Sequence, residues 1–138
     1  MNMREEINLN KKSIEPIVIE AFTNMDMYDS DDVIEIDESD NDLRIMYLST
    51  RYSESGRGKT MYAFRIKKES LNRWWDGITV NPDHQNKGFG RQMVQAMEAI
   101  CKQVGIKKLR TYKHLSESEG FWKKMKYVFV NEEYEKNI

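Results

Sequence analysis

Apolar residues at Ile14, Ile17, Val18, Ala21, Phe22 and Met25 recur at intervals of three and four. That spacing predicts an amphipathic helix, with Ser13 as its cap and Pro16 in a first turn where a missing N–H costs little. Asp29-Ser30-Asp31-Asp32 ends it. Val33 to Ile36 then reads as a strand, Asp37 to Asp42 as a turn, and Leu43 to Tyr52 as a second strand. Ser53 to Lys59, with two glycines, is a further turn, and Thr60 to Lys67 a third strand. Three strands joined by short turns predict an antiparallel meander.

Beyond the meander the period changes. Trp74 to Val80 reads as a fourth strand. Met93, Val94, Met97, Ile100, Cys101 and Val104 then share one face of a helix that Gly105 stops. Lys107 to His114 reads as a strand, Glu117 to Met125 as a helix, and Tyr127 to Val130 as the final strand. A strand–helix–strand unit implies a parallel crossover. The expected fold class is therefore α/β (α+β), with a mixed, mostly antiparallel sheet, a central strand–helix–strand crossover and flanking helices. Residues 1–138 show no repeat, low-complexity linker or boundary, so one domain is expected.

Composition changes this picture in two ways. Apolar residues make up 39% and charged residues 33%, the balance of a globular chain with a very polar surface. No apolar run approaches the ~20 residues of a membrane span. The start, Met-Asn-Met-Arg-Glu-Glu, lacks a signal-peptide core, and the one cysteine excludes an internal disulfide framework. A cytoplasmic location is the expectation. Secondly, the net charge of −1 conceals an asymmetry. Residues 1–42 hold 13 Asp/Glu against 3 Lys/Arg, and residues 43–138 hold 19 Lys/Arg against 10 Asp/Glu. Two readings stand: a solvated acidic loop with ordinary surface lysines, or an acidic lip for a cationic substrate facing a basic half for an anionic one.

The segment richest in chemistry is Gln85-Asn86-Lys87-Gly88-Phe89-Gly90-Arg91, placed between the fourth strand and the long helix. A strand turning through glycines into a helix presents free backbone N–H groups at the positive end of the helix dipole, a seat for phosphate or pyrophosphate. The dinucleotide fingerprint is excluded, because Met93 stands where its third glycine belongs. A Walker loop is excluded too. The one Gly-Lys-Thr, Gly58-Lys59-Thr60, has Ser53 five residues upstream and joins two strands, so it reads as hairpin chemistry.

What remains is Gln85-x-x-Gly88-x-Gly90 after Ile78-Thr79-Val80-Asn81-Pro82 and before an amphipathic helix. This resembles the acyl-CoA-binding motif of the GNAT N-acetyltransferase superfamily, and the resemblance runs from about Trp74 to Val130. It implies acetyl-CoA as co-substrate, its pyrophosphate on the backbone from Gln85 through Asn86, Lys87, Gly88, Phe89 and Gly90 to Arg91. It further implies a pantetheine arm paired like an extra strand against Ile78, Thr79 and Val80. Lys87 and Arg91, with Lys123 or Lys124, would meet the outer phosphates. The alternative is that Gly88 and Gly90 merely form a tight turn.

Acetyl transfer needs a deprotonated amine and a stabilised leaving thiolate. Asp76 falls where many family members carry an acidic general base, and Gly77 beside it suits a bulge that splays the strand. A strand-end Asp in a turn or salt bridge is the plainer alternative. His84 reads as a surface residue. The family's general acid is a tyrosine in Phe/Leu-Tyr-x-x-x-Gly-Phe; here the segment is Phe121-Trp122-Lys123-Lys124-Met125-Lys126-Tyr127. Trp122 replaces the tyrosine and Lys126 the glycine. An indole donates one hydrogen bond but is no proton-donating acid. Water, Tyr112 or Tyr127 would have to protonate the thiolate, and Trp122 would pack over the pantetheine.

Other chemistries find little support. One cysteine and two distant histidines cannot build a structural zinc site, and Asp37 to Asp42 lacks the glycine and distal Glu of an EF-hand. No metal is expected. Lys107, Lys108, Arg110 and Lys113 come with no nucleic-acid motif, so neither nucleic acid nor membrane is an expected partner. Cys101 reads as core. The expected function is acetyl transfer from acetyl-CoA to a primary amine, either a small cationic amine or a protein lysine or N-terminus, in a monomer or homodimer. The alternative is a coenzyme A-binding regulatory module with little or no turnover.

Overall fold

The first helix starts before its expected cap. In the computed structural model, which describes residues 9–52, 59–68, 72–79, 88–112, 119–131 and 133–138, α1 (Lys11–Thr23) is capped by Asn10. The Asn10 carboxamide oxygen accepts from the Ser13 N–H at 2.8 Å, and the Asn10 N–H donates to Ser13 Oγ at 3.2 Å. Ser13 is thus the N3 partner of a reciprocal capping box rather than the cap. Leu9 and Ile14, both buried, occupy the two positions of a hydrophobic staple. The shift also moves Pro16 out of the first turn and into the helix body, on its exposed side.

The remaining elements are β1 (Val33–Glu38), β2 (Asp42–Tyr52), β3 (Lys59–Lys67), β4 (Asn72–Thr79), α2 (Phe89–Gln103), β5 (Lys108–Tyr112), α3 (Glu119–Lys124), β6 (Val128–Val130) and β7 (Glu133–Asn137). They build one seven-stranded sheet in the order β1-β2-β3-β4-β5-β7-β6. Neighbours pair antiparallel throughout, except for the parallel pair β4–β5 that α2 connects. The expected meander and crossover are both present. Tyr52 pairs with Lys59, so Lys59 and Thr60 belong to an antiparallel pair of strands as expected; Gly58 lies outside the described residues.

Register explains the core. Leu43, Ile45 and Tyr47 alternate on β2 and are fully buried. Pairing sets Ile36, Ile45 and Phe64 in one row and Leu43 beside Ile66. Ile14, Val18 and Phe22 of α1 and Met93, Val94, Met97, Ile100 and Cys101 of α2 join the same cluster. The Phe22 and Tyr47 rings lie 5.1 Å apart. Each such fully buried side chain contributes about 1.5–3 kcal/mol. Cys101 is core, as its helical phase predicts.

The C-terminal end departs from the sequence reading. The final strand is not Val128–Val130 but β7, which inserts between β5 and β6. Its sequence, Glu-Tyr-Glu-Lys-Asn, hides the strand because four of five side chains are polar. They are matched by neighbours: Arg110 meets Glu135 at 3.3 Å, and Lys136 meets Glu98 of α2 at 2.9 Å. The apolar β6 is the outer edge, with Val128 62% exposed.

Two helix ends use one device. After α2 the N–H of Ile106 reaches the Cys101 carbonyl and that of Gly105 the Lys102 carbonyl, with Gly105 at φ +89°. After α3 the N–H of Tyr127 reaches the Trp122 carbonyl and that of Lys126 the Lys123 carbonyl, with Lys126 at φ +71°. Both are Schellman ends, which favour glycine at the left-handed position. Lys126 therefore holds a left-handed backbone that glycine adopts without penalty.

Candidate functional site

The N-terminus of α2 contrasts with that of α1. Its cap is Gly88, at φ +81° and ψ 9°, with no side-chain cap and no acidic residue in the first turn. The first intrahelical bond runs from the Gln92 N–H to the Gly88 carbonyl at 3.0 Å. Among the described residues no side-chain cap is present at this helix start, whereas α1 has a complete capping box. A Cβ on Gly88 would lie 3.6 Å from Arg91 Nη2, so the Arg91 guanidinium sits beside the cap. A cation at the positive end of a helix is unfavourable by a few tenths to about 1 kcal/mol, and an anion between them reverses the sign. Of the predicted cofactor residues, Gly88, Phe89, Gly90 and Arg91 are gathered here. Val80, Gln85, Asn86 and Lys87, and His84 with them, lie outside the described residues.

The parallel ladder of the sheet is short. β4 and β5 are in register only at Arg73↔Leu109 and Trp74↔Arg110. Beyond Trp74, β4 continues to Thr79 with β3 alone as its described ladder partner, while β5 continues to Tyr112 against β7. Among the described residues the parallel ladder therefore stops short of the carboxyl ends of both strands, the usual place for a ligand in an α/β sheet. Ile78 and Thr79, predicted to face the pantetheine arm, are in the stretch of β4 beyond that ladder.

Asp76 lies just beyond the end of this ladder. On β3 the register runs from Ala63↔Gly77 to Phe64↔Trp75, which leaves Asp76 as the extra residue of a bulge. A bulge re-aims a strand and increases its twist. The bulge expected beside Gly77 is present. The Asp76 side chain lies outside the described residues, as does that of Tyr112.

Trp122 is 3% exposed and offers almost no surface to a ligand. Its ring meets Phe121 and Tyr127 edge-on, each at 5.0 Å, and stacks on Tyr134 at 6.3 Å. The indole builds the wall behind α3 rather than presenting a face. Tyr127 is equally buried, whereas Lys123 and Lys124 are exposed.

The acidic segment divides into two sets. Asp32 is buried and accepts from the Tyr47 hydroxyl, and one of its oxygens also takes the Asp29 N–H at 3.1 Å. Glu38 pairs with Lys68 at 2.8 Å, and that bond holds its carboxyl below the ordinary range. Asp42 approaches Arg65 at 3.9 Å. These carboxylates fasten the fold. Asp26 instead faces an open groove of about 310 Å³ between α1 and α2, with Glu20 and Asn24 on its side and Gln92 and Gln95 opposite. Sequence reasoning missed Gln92, whose carboxamide oxygen accepts from the Met27 N–H at 2.8 Å. With the two residues 65 positions apart, no local signal could have disclosed that bond. A wider groove, about 650 Å³, between α1 and β1 contains none of the predicted site residues. Among the described residues no cluster of His, Cys, Asp and Glu could hold a metal ion, and no helix is long and apolar enough to cross a membrane.

A mixed sheet whose parallel ladder stops short of its carboxyl ends, together with a helix that starts at a glycine cap, defines an α/β fold suited to an extended, anion-bearing ligand. The model of the acetyltransferase (GNAT) family matches residues 24–127, and the chain belongs to that family. It is an acetyltransferase by family. Among solved structures, an acetyltransferase from Bacillus cereus superposes with a TM-score of 0.54 at 16% identity, covering 100% of both chains. A protein assigned as an acetyltransferase from Agrobacterium tumefaciens gives 0.55 at 9% identity, again over 100% of both. PaiA N-acetyltransferase from Thermoplasma acidophilum, in complex with coenzyme A, gives 0.49 at 19% identity over 71% of this chain and 62% of that one. At these identities the likeness is one of fold. No curated protein matches the sequence.

Proposed function

We propose that this chain transfers the acetyl group of acetyl-CoA to a primary amine by direct attack. The observation that carries the reading is a parallel β4–β5 ladder that ends at Trp74 and Arg110, short of the strands' carboxyl ends, in a chain whose next described helix begins at a glycine cap. Pyrophosphate suits the first-turn amides of α2 and the Arg91 guanidinium. The amide-bearing pantetheine arm suits the edge of β4 beyond that ladder, where it adds as a short strand would. The thioester would then lie near the bulge at Asp76.

In that arrangement Asp76 acts as the base, directly or through a water, and takes the proton from the ammonium form of the acceptor. The freed amine nitrogen attacks the thioester carbonyl carbon, the tetrahedral intermediate gives up the second N–H proton to water, and it collapses to the amide as the carbon–sulfur bond breaks. The thiolate leaves and takes a proton from water, since Trp122 cannot supply one. The solvent-facing acids near Asp26 favour a cationic acceptor, either a small amine or a protein lysine or N-terminus.

The test is release of free thiol over a panel of small amines and peptides. Asp76→Asn is expected to lower kcat/KM by about 10²–10⁴ while leaving the Kd for coenzyme A within a few-fold. A wild-type rate that survives Asp76→Asn removes the assigned base. Burial of Trp122 motivates the second reading, a coenzyme A-binding module with little turnover. Tight acetyl-CoA binding with no thiol release across the panel would favour that module.

A further inference from the structure

We propose that Gln92 is a positioning residue that couples occupancy of the α2 N-terminus to the turn between α1 and β1. The inference rests on the coenzyme A reading above. Gln92 takes part in two hydrogen bonds that form one chain. Its N–H donates to the Gly88 carbonyl at 3.0 Å, and its side-chain oxygen accepts from the Met27 N–H at 2.8 Å. The cap residue of the anion seat is thus two hydrogen bonds away from the backbone of a turn far off in sequence.

That turn is held from both sides. Met25 and Met27 are buried, 8% and 2% exposed, so the backbone between them cannot drift freely. At the far end Asp32 is fixed to Tyr47 on β2. The Gln92 bond is part-buried, and the Met27 donor would be left without its acceptor if the carboxamide were removed. Asp26, between the two methionines, lines the α1–α2 groove with Gln92 itself on the opposite wall. Displacing the Met27 backbone therefore reshapes that groove.

The physical consequence is mutual. An anion that draws on the Gly88–Arg91 amides fixes the cap, the cap fixes the Gln92 backbone, and the carboxamide fixes Met27. A turn already in place likewise favours the ordered cap, because coupling between two sites is reciprocal in binding free energy. Coenzyme A should therefore tighten amine binding, and the amine should tighten coenzyme A by the same factor.

Amide hydrogen exchange at Met27 with and without coenzyme A tests this, alongside the coenzyme A Kd. In wild type, saturating coenzyme A should raise Met27 protection. In Gln92→Leu, which keeps volume and helix propensity, protection should fall five- to thirtyfold without ligand. Adding coenzyme A should then produce no rise, while its Kd in the absence of amine stays within about threefold. The amine KM should increase with kcat little changed. Gln92→Glu retains an oxygen acceptor and should restore Met27 protection, which a merely structural defect would not do. If wild-type Met27 protection is indifferent to coenzyme A that demonstrably binds, the coupling is wrong and the function reading stands. A more than tenfold rise in Kd for Gln92→Leu also overturns it, since Gln92 would then belong to the seat. If coenzyme A gives no thermal shift at all, both proposals fall.

Discussion

α2 is flanked by two left-handed glycines, and substituting each in turn separates stability from binding. Gly88 precedes the helix at φ +81° and Gly105 follows it at φ +89°. An added methyl has room at both. Among the described residues the nearest neighbour at Gly88 is the flexible tip of Arg91 at 3.6 Å, and at Gly105 none lies within 4 Å. The cost of Gly→Ala is therefore conformational, about 1–2 kcal/mol at either position. For 138 residues the entropy of unfolding is about 290 cal/mol/K, so each variant should lose about 3–7 °C in Tm.

Their ligand responses should diverge. Gly88→Ala disturbs the residue that aims the first-turn amides and places a methyl beside the Arg91 guanidinium. Its Kd for acetyl-CoA should rise about tenfold or more, a factor that corresponds to about 1.4 kcal/mol. Gly105→Ala lies at the other end of the helix and should bind as wild type does. Differential scanning fluorimetry gives the first quantity, and calorimetric titration with acetyl-CoA the second. Equal loss of affinity in both variants would show that general loosening of α2, not the cap, controls binding. Wild-type affinity in a measurably destabilised Gly88→Ala would refute the anion seat outright.

Lys126 provides the converse experiment. It holds φ +71° at a Schellman end where glycine carries no penalty, so Lys126→Gly should raise stability by about 1 kcal/mol, or roughly 3 °C; a lower Tm on thermal denaturation would contradict the assigned backbone. Glu38 gives a pH test. Its carboxyl is lowered chiefly by the hydrogen bond from Lys68, so the stabilisation is present above the ordinary glutamate value of about 4.5 and is lost as pH falls through the lowered folded-state value. The Tm gap between wild type and Glu38→Gln should be widest near neutrality and close on acidification, and a gap that widens toward acid would reverse the sign of the argument.

The parts of this molecule that were legible in the sequence are those that the backbone builds. Gly88 could be placed because a left-handed cap at the start of a helix has a residue requirement, and because the apolar spacing of 93–104 fixes where the helix runs. The bulge at Asp76 was legible for a related reason, since Gly77 weakens a strand where it must bend. The α1 boundary was misjudged because Asn10 and Ser13 are both good caps three residues apart, and the pair is reciprocal. Leu9 could have broken the tie, being correctly placed for a staple onto Ile14.

What stayed hidden has one physical form: a polar side chain whose partner is remote in sequence. β7 reads as a charged tail until Arg110, Lys108 and Glu98 are brought alongside Glu135 and Lys136. The acid-rich stretch reads as one negative lip until Asp32 is turned toward Tyr47 and Glu38 toward Lys68. After those are set aside, the field that an amine would meet comes from fewer groups, Asp26 and Glu20 at the groove among them. A sequence-level charge count therefore overstates the lip. Selectivity for a cationic acceptor should depend more on where the turn holds Asp26 than on how many acids precede it. That position is tied to Met27 and its bond to Gln92, so under the proposed reading acceptor specificity would depend on the same helix that is proposed to receive the phosphates.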